Sequence, residues 1–554
     1  MILLNKKTGT SSPSSLMALG AMVIAVFLGL STLSSKAFAA DDDELLSLIG
    51  NGAARTPKKV KATELSELGK ILKNPTAEQN IFLQFFDKGE FEKALYQWPT
   101  AFDGSSFGAS ASGKALYSLL LYRNGIKITA LESVLAISQP DAINPALIKM
   151  WVEAAPVSDP TWSLIQIGKW NPKWTELFGT PAEMLVRSRQ IYGSDQIATL
   201  KDLIKRTDVD TSERAWLSWQ LVLALSTGDD PGTAAKALAV LMKAPKNPVS
   251  QDLMTVTAAR LLYQNGFLDA AIKYYDQVPK SSDYWLEAQE EEGWAFIRKG
   301  EPQNTLALTK SITRPEFTSQ IGPEPLFLHA LAELKVCDYP AVVTTLNNFR
   351  DRFKTRAANL MGIADQAANK DVDDYIGRAE KETMTLSKLG KQASRLPRFV
   401  SRDEILSQAI ATQLVLENES KLAGRLYAGS LTGGTGQVGF QGRLEEFRKA
   451  VESRALEARG TTYSRVKALA SEEVNEIAQI LQKLHIVEAE VLQQISMSSR
   501  VASATSDEKA SVKLGSTGSH AKDRVTFPAE QETWFDEIAN YKIDIKKGCQ
   551  SAKR

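Results

Sequence analysis

Six short segments of this 554-residue chain follow one template, and that repetition limits the possible folds more than any other feature. They are "FDKGEFEKALYQW" around Gly89, "LYRNGIKITALESV" around Gly125, "ALSTGDD" at Gly228, "LLYQNGFLDAAIKYY" at Gly266, "WAFIRKGEPQNTLAL" at Gly300 and "LAELKVCDYPAVVTTL" at Cys337. The first two turn positions lie 36 residues apart, and the last four are spaced by 38, 34 and 37. Seven residues before the turn, four units carry a small residue: Ser118, Ala259, Gly293 and Ala330. Five residues after it stand Ala94, Ala130, Ala271, Thr305 and Val342. Small residues at two fixed places let paired helices approach closely, and glycine between them can take the left-handed conformation that ends the first helix. One such pair cannot bury its apolar face alone, so the units must stack.

The pattern resembles the tetratricopeptide repeat family, with matches over residues 78–136 and 212–352. The resemblance implies an all-α solenoid of helix-turn-helix units whose first helices line a concave, peptide-binding surface. Two departures stand out: the Trp-Leu-Gly opening of the family's consensus is mostly missing, and the unit at Gly228 carries a "DDPGT" insertion. Residues 140–210 keep helical spacing but lose the period, so the solenoid is expected over 76–352 with degenerate repeats there, after a polar segment at 40–75. The C-terminal "VTFPAEQETWFDEIANYKIDIKKGC" (525–549), with "YWLEAQEEEGWAFIRKGEPQNTLALTKSITRPEF" and "ELKVCDY", is similar to exported tetratricopeptide proteins of gliding and predatory deltaproteobacteria, some tied to envelope motility machinery. That similarity implies an assembly or scaffold role and carries over no catalytic residue.

The first 39 residues read as an export signal. Lys6 and Lys7 make a basic start, "LMALGAMVIAVFLGL" (16–30) is a short apolar run, and Ala37-Phe38-Ala39 fits a small-x-small cleavage site before Ala40. The apolar run is shorter than the ~20 residues that span a bilayer, and no later segment reaches 18 uninterrupted apolar residues. The expected location is the periplasm, with membrane association only through partners. Removing 1–39 leaves 63 basic against 65 acidic residues, a balance with no electrostatic footprint for nucleic acid. Three widely spaced histidines, His329, His485 and His520, with Cys337 and Cys549, offer little for a zinc site or a Cys/His nucleophile, and no cofactor is expected.

After Phe353 the composition shifts towards Glu, Lys, Ala and Leu, and a long helical or coiled-coil region is expected over 353–500. Val474, Ile477, Leu481, Leu484, Val491 and Ile495 follow a coiled-coil seam, with Glu488 at the missed position, although a helix packed within a bundle would read almost the same. Asp403 to Tyr427 is a second helical stretch. Residues 501–524 read as a flexible linker, and 525–554 as a segment folding back on the solenoid.

Between those helices lies a glycine cluster, 429–442, "GSLTGGTGQVGFQG". Gly434, Gly436 and Gly439 have the spacing of a dinucleotide loop, but no strand precedes them to aim the turn at a pyrophosphate, so the cluster is expected to be a helix-hairpin tip. Glu419-Ser420, 14 residues before "GGTG", resembles the catalytic signature of lytic transglycosylases, in which one glutamate protonates the glycosidic oxygen. Here that family's "GLMQ" is "GQVG" and its downstream Ala-Tyr-Asn-Ala-Gly segment does not occur, so Glu419 is expected to be a solvated helical residue.

Trp162, Trp170 and Trp174 could line a peptide groove or fill a core. The run Glu290 to Glu292 reads as a solvated helix face, since adjacent helical positions point 100° apart and cannot converge on one ion. His329 is expected between helices. Cys337 and Cys549 are expected to form a disulfide, because exported chains meet an oxidising compartment and Cys337 stands at a reachable turn where other repeats use glycine. Together these features predict a non-enzymatic, periplasmic interaction scaffold or adaptor that binds envelope proteins or peptides. The rivals are a cell-wall lytic enzyme using Glu419 and a periplasmic chaperone.

Overall fold

A computed structural model of the protein describes residues 68–502, apart from short stretches at 73, 168–169, 180, 184–185, 187–193, 207–210, 227–230, 245–246, 248, 366–368, 383 and 433–437, together with Ile543. The expected signal, nearly all of the polar segment 40–75, the linker beyond Ala502 and the rest of the C-terminal segment lie outside the described residues. Among the described residues every regular element is helical, in neighbouring pairs, as the repeat pattern requires.

Two pairs open the stack, α1 (Ala77–Asp87) with α2 (Phe91–Phe102) and α3 (Ala111–Arg123) with α4 (Lys127–Leu135). Thr76 starts α1 with a reciprocal cap: its hydroxyl accepts from the Gln79 amide while the Gln79 side chain accepts from the Thr76 amide, satisfying two otherwise orphaned donors. The expected degenerate stretch breaks into short helices, among them α5 (Pro145–Ala154), α6 (Pro172–Phe178) and α7 (Ser194–Lys205). Prolines at Pro145 and Pro172 open two of these, where a missing N–H costs nothing, and Asn144 and Asn171 cap them. The period then returns with α8 (Thr211–Ser226) and α9 (Pro231–Leu241), α10 (Gln251–Gln264) and α11 (Leu268–Tyr275), α12 (Trp285–Lys299) and α13 (Pro302–Ile312), and α14 (Glu324–Lys335) and α15 (Tyr339–Asp365).

The two small-residue positions lie where the helices of a pair touch. Ala94, Ala130, Ala271, Thr305 and Val342 are fully buried, as are Ala259 and Ala330, and Ser118 nearly so. At Gly293 the approach is closest: a Cβ there would stand 2.7 Å from Leu328 Cδ2, and Thr305 Oγ1 donates to the Gly293 carbonyl at 2.9 Å. Gly89, Gly125, Gly266 and Gly300 all have φ between 74° and 86°, the left-handed turn that glycine takes without strain. Gly228 lies outside the described residues.

Three longer helices follow, α16 (Lys370–Ala379), α17 (Glu404–Thr432) and α18 (Val438–Ala502), with two short turns of helix at Leu386–Leu389 and Gly390–Ser394 between the first two. The expected boundary at 352/353 falls inside α15, which runs 27 residues without a break. The reason is apolar continuity, since Phe349, Phe353, Leu360 and Ile363 bury one stripe of α15 in a core shared with α14 and α18. That core also corrects the coiled-coil expectation. Ile477, Leu484 and Val491 are buried, but so are Ile480 and Val487 beside them, whereas Ile495 is 44% exposed. The buried stripe is therefore wider than a two-stranded seam, because α18 packs within a bundle. The glycine tip is likewise shorter than expected: Gly429 belongs to α17 and Gly439 and Gly442 to α18, leaving 433–437 between the two helices.

Candidate functional site

The hairpin formed by α17 and α18 lies against both ends of the repeat stack, and the contacts at the two ends differ in chemistry. Helix α17 runs along the first repeats. Gln408 donates to the Ser163 carbonyl at 3.0 Å, the Tyr96 hydroxyl donates to the Leu426 carbonyl at 3.1 Å, and Leu416, Ala423 and Leu426 join the apolar core of α1–α6. Leu422 reaches the turn at Gly125, where a Cβ would stand 2.9 Å from Leu422 Cδ1. A Cβ at Gly429 would come within 2.3 Å of the Tyr96 hydroxyl, so this glycine lets α17 press onto α2.

Glu419 is the centre of this contact. Helix α4 starts at Ile126 with no side-chain cap of its own, leaving the amides of its first turn unsatisfied. Glu419, fully buried, supplies the cap from 291 residues away: Oε1 accepts from the Ile128 amide at 2.5 Å, and Oε2 accepts from the Thr129 hydroxyl at 2.8 Å and its amide at 3.4 Å. A carboxylate at a helix N-terminus also meets the positive end of the dipole. Burial pushes the carboxyl above its ordinary range, and the hydrogen bonds from Thr129 and Ile128 oppose that shift. Arg454 of α18 extends the network, donating to Thr129 Oγ1 at 3.0 Å and Glu132 Oε2 at 2.6 Å. The expectation of a solvated glutamate is thus corrected: Glu419 is consumed by a long-range helix cap. A sequence cannot show this, because the donors belong to a helix nearly three hundred positions upstream.

At the other end, α18 meets the first helices of the last repeats through a buried band of charge. Arg356 of α15 holds Glu473 of α18 by two parallel hydrogen bonds, 2.8 Å and 3.0 Å, and spends its remaining donors on the carbonyls of Ala393, Ser394 and Leu396. Both side chains are 5% exposed. Arg398 donates to Glu476 at 2.9 Å and to the Ile321 carbonyl at 2.5 Å, while its own amide donates to Glu473 at 2.8 Å. Gly322, with φ 71°, leaves the space that the Arg398 guanidinium occupies. Arg402 reaches Glu287 of α12 at 2.6 Å, and Arg260 of α10 holds Glu291 at 2.6 Å. Trp294 donates to Glu324 at 2.9 Å, and the Lys483 ammonium lies 5.5 Å from the centre of the Phe327 ring.

Carboxylates crowd this band. Burial, then neighbouring Glu324, raises Glu290 well above the usual range, and burial raises Glu324 itself. Burial lifts Glu476 to about 7 against the pull of Arg398, and lifts Glu292 to about 8 with help from Asp276. Glu287 ends below its ordinary value, since Arg402 and Arg260 outweigh its burial. The run Glu290 to Glu292 is therefore no solvated face. Its three carboxylates do diverge as helical geometry requires, Glu291 to Arg260, Glu290 towards Glu324 and Arg398, and Glu292 beside Gln289 and Asp276. A small cleft lined by Arg398, Phe399, Leu469, Glu472, Glu473 and Glu476 has room for about one water molecule.

The remaining predicted residues fall into place separately. Trp162 and Trp174 are fully buried and Trp170 is 7% exposed, with indole N–H groups donating to the Ala155 carbonyl, the Leu135 carbonyl and the Thr175 hydroxyl. They belong to the core and line no groove. His329 sits between helices as expected, its Nδ1 2.7 Å from Thr309 Oγ1 and its Nε2 3.2 Å from Glu333. Cys337 stands at its turn with φ 62°, and the described residues include no free cysteine. Its expected partner Cys549 lies outside the described residues. Among the described residues no group of His, Cys, Asp or Glu could hold a metal ion, and no helix is long and apolar enough to cross a membrane. Comparison with known proteins gives no matching family model and no matching curated protein.

Proposed function

We propose that this chain is an exported, periplasmic interaction scaffold of a cell-envelope assembly, related to tetratricopeptide proteins and stabilised by a disulfide between Cys337 and Cys549. The observation that carries the reading is the strapped stack: helix pairs on one template, braced end to end by a hairpin whose Glu419, Arg454 and Glu473 are spent on holding the repeats. Such an object has large surfaces and little internal freedom, which suits joining partners. The first helices of the last repeats, α12 and α14, face the chain's own α18 through Trp294, Phe327 and Lys483, so partners are expected elsewhere. The outward side of α18 is the favoured surface, with Leu456, Ile486 and Leu492 each more than 60% exposed.

The test is cross-linking of the tagged full chain in intact cells, followed by capture from membranes and mass spectrometry. A reproducible set of envelope proteins, lost when Ile486 and Leu492 are both changed to Asp, supports the reading. Release of muropeptides from peptidoglycan sacculi by the purified protein, abolished in Glu419→Gln, would overturn it in favour of a lytic enzyme.

A further inference from the structure

Residues 396–408 lead into the first turns of α17, and their side chains reach four separate parts of the molecule. Arg398 holds Glu476 of α18 and occupies the space beside Gly322 that a Cβ there would take. Asp403 caps α17 at the Leu406 amide, 2.7 Å away, and accepts two hydrogen bonds from Arg465 of α18 at 3.0 Å and 2.7 Å. Arg402 donates to the Asp283 carbonyl at 2.8 Å and to Glu287 at 2.6 Å, at the start of α12. Gln408 donates to the Ser163 carbonyl at 3.0 Å, at the far side of the first repeats. The Phe399 ring steadies both arginines, whose guanidinium carbons lie 4.3 Å (Arg398) and 5.3 Å (Arg402) from its centre.

Ser163 and Asp283 stand 120 positions apart, yet the residues that hold them are six apart, at most roughly 22 Å of chain. Between them α7–α11 build three small apolar cores, and among the described residues none of these cores includes a side chain of α16–α18. The middle of the stack is therefore an arch on two feet, and the feet differ. At the first, Trp162, Leu164 and Ile165 share an apolar core with Leu416 of α17. At the second, Tyr284 and Trp285 pack into the arch's own cores and Leu286 packs with Ile312 and Ile321, in clusters that contain no residue of 396–408. There the polar reach of Arg402 makes the contact.

We infer that residues 396–408 form a clasp that sets the curvature of the arch α7–α11, permanent at the Ser163 foot and releasable at the Arg402 foot. Stacked repeats bend by small rotations that sum along the stack. Holding both feet on one short segment therefore fixes the sum. Freeing Arg402 lets the arch pivot about the Ser163 foot while the hairpin stays on the first repeats. The clasp rests on these contacts and not on the scaffold reading, so a chain that captures no envelope protein would still carry it.

The test places two bio-orthogonally attached spin labels on the full chain, in place of Val240 on the arch and Leu456 on α18, which are 74% and 65% exposed, and leaves the native cysteines untouched. Pulsed electron resonance then gives the distribution of distances between the labels. Arg402→Ala should shift that distribution to longer distances and broaden it, and Arg402→Lys should do so less. Gln408→Ala should leave it nearly in place, because the apolar core still holds that foot. Arg395→Ala, which removes the same charge from an exposed pair with Asp371, should not move it. A distribution for Arg402→Ala that superimposes on the parent's would overturn the clasp, as would equal shifts for Arg402→Ala and Arg395→Ala. Should Arg402→Ala fail to fold, Glu287→Gln keeps the partner's shape, removes its charge and is read by the same two criteria.

Discussion

The hairpin of α17 and α18 grips the two ends of the repeat stack by different means, although Arg454 of α18 adds an ion pair with Glu132 at the first end. At the first repeats the decisive polar contact is a carboxylate on a helix start, Glu419 accepting from the amides of Ile128 and Thr129 and from the Thr129 hydroxyl, inside an apolar surround of Leu416, Leu422 and Leu426. At the last repeats it is side chain on side chain: Arg356 with Glu473, Arg398 with Glu476 and Arg402 with Glu287. Backbone donors cannot change rotamer or protonation, so on the repeat side the amides at the first contact are fixed. A band of buried carboxylates and guanidinium groups fixes position too, but only while its charge balance holds.

The sharpest way to break this contrast is at Arg356. Arg356→Ala leaves Glu473 buried with no guanidinium and only the Arg398 amide as donor, and should cost about 3–5 kcal/mol, read as a lower urea midpoint with little change in slope. The paired change Arg356→Met with Glu473→Leu should recover most of that loss. Equal losses in the single and double variants would mean that the carbonyls of Ala393, Ser394 and Leu396, rather than the ion pair, are what Arg356 holds.

The next effect belongs to the other end. Glu419→Ala strands the donors of Ile128 and Thr129 and should cost about 1–3 kcal/mol, whereas Glu419→Gln keeps one acceptor and should cost less. Hydrogen exchange should locate the damage in the first turn of α4. Protection unchanged there would show that the cap contributes little to holding the hairpin.

A smaller effect separates turn strain from contact with the hairpin. Gly89→Ala places a Cβ at φ 74° with nothing within 4 Å, so it reports strain alone, about 1 kcal/mol. Gly125→Ala meets Leu422 as well and should cost roughly 1 kcal/mol more. Identical thermal shifts for the two would argue against close contact at Leu422.

The last expected effect is on pH dependence. Glu476 at about 7 and Glu292 at about 8 are raised from an ordinary value of 4.5, so their contribution to stability is complete below 4.5 and is lost as pH rises through 7 to 8. Glu287 is lowered, and its contribution is present above 4.5 and lost below it. The last repeats should therefore be most resistant to exchange near pH 5 and loosen towards pH 8, measured on α12 and α14 after correction for intrinsic rates. Greater protection at pH 8 than at pH 5 would contradict this balance.

The repeats could be read in the sequence because their rules are local. A turn residue at Gly266 and small residues at Ala259 and Ala271 lie within a dozen positions, and each is where the spacing places it. The strap was legible only in outline. Apolar spacing marked α17 and α18 as helices, but not that Leu422 meets Gly125 or that Glu419 caps α4. Likewise, adjacent glutamates normally mean solvent, and only distant Arg398 and Arg260 account for Glu290 and Glu291 being half-buried. Signals carried by side chains close in sequence survive translation from pattern to structure, whereas signals that depend on a distant partner do not.

Helix α15 is at once the second half of the last repeat and a wall of the bundle that holds α18. No linker separates the two roles, so a cut at 352 would sever a helix in its middle and leave both fragments with an unfinished core. The last repeat and the hairpin's far half should melt as one cooperative block. A load applied along α18 would then pass straight into the stack, without a joint to absorb it.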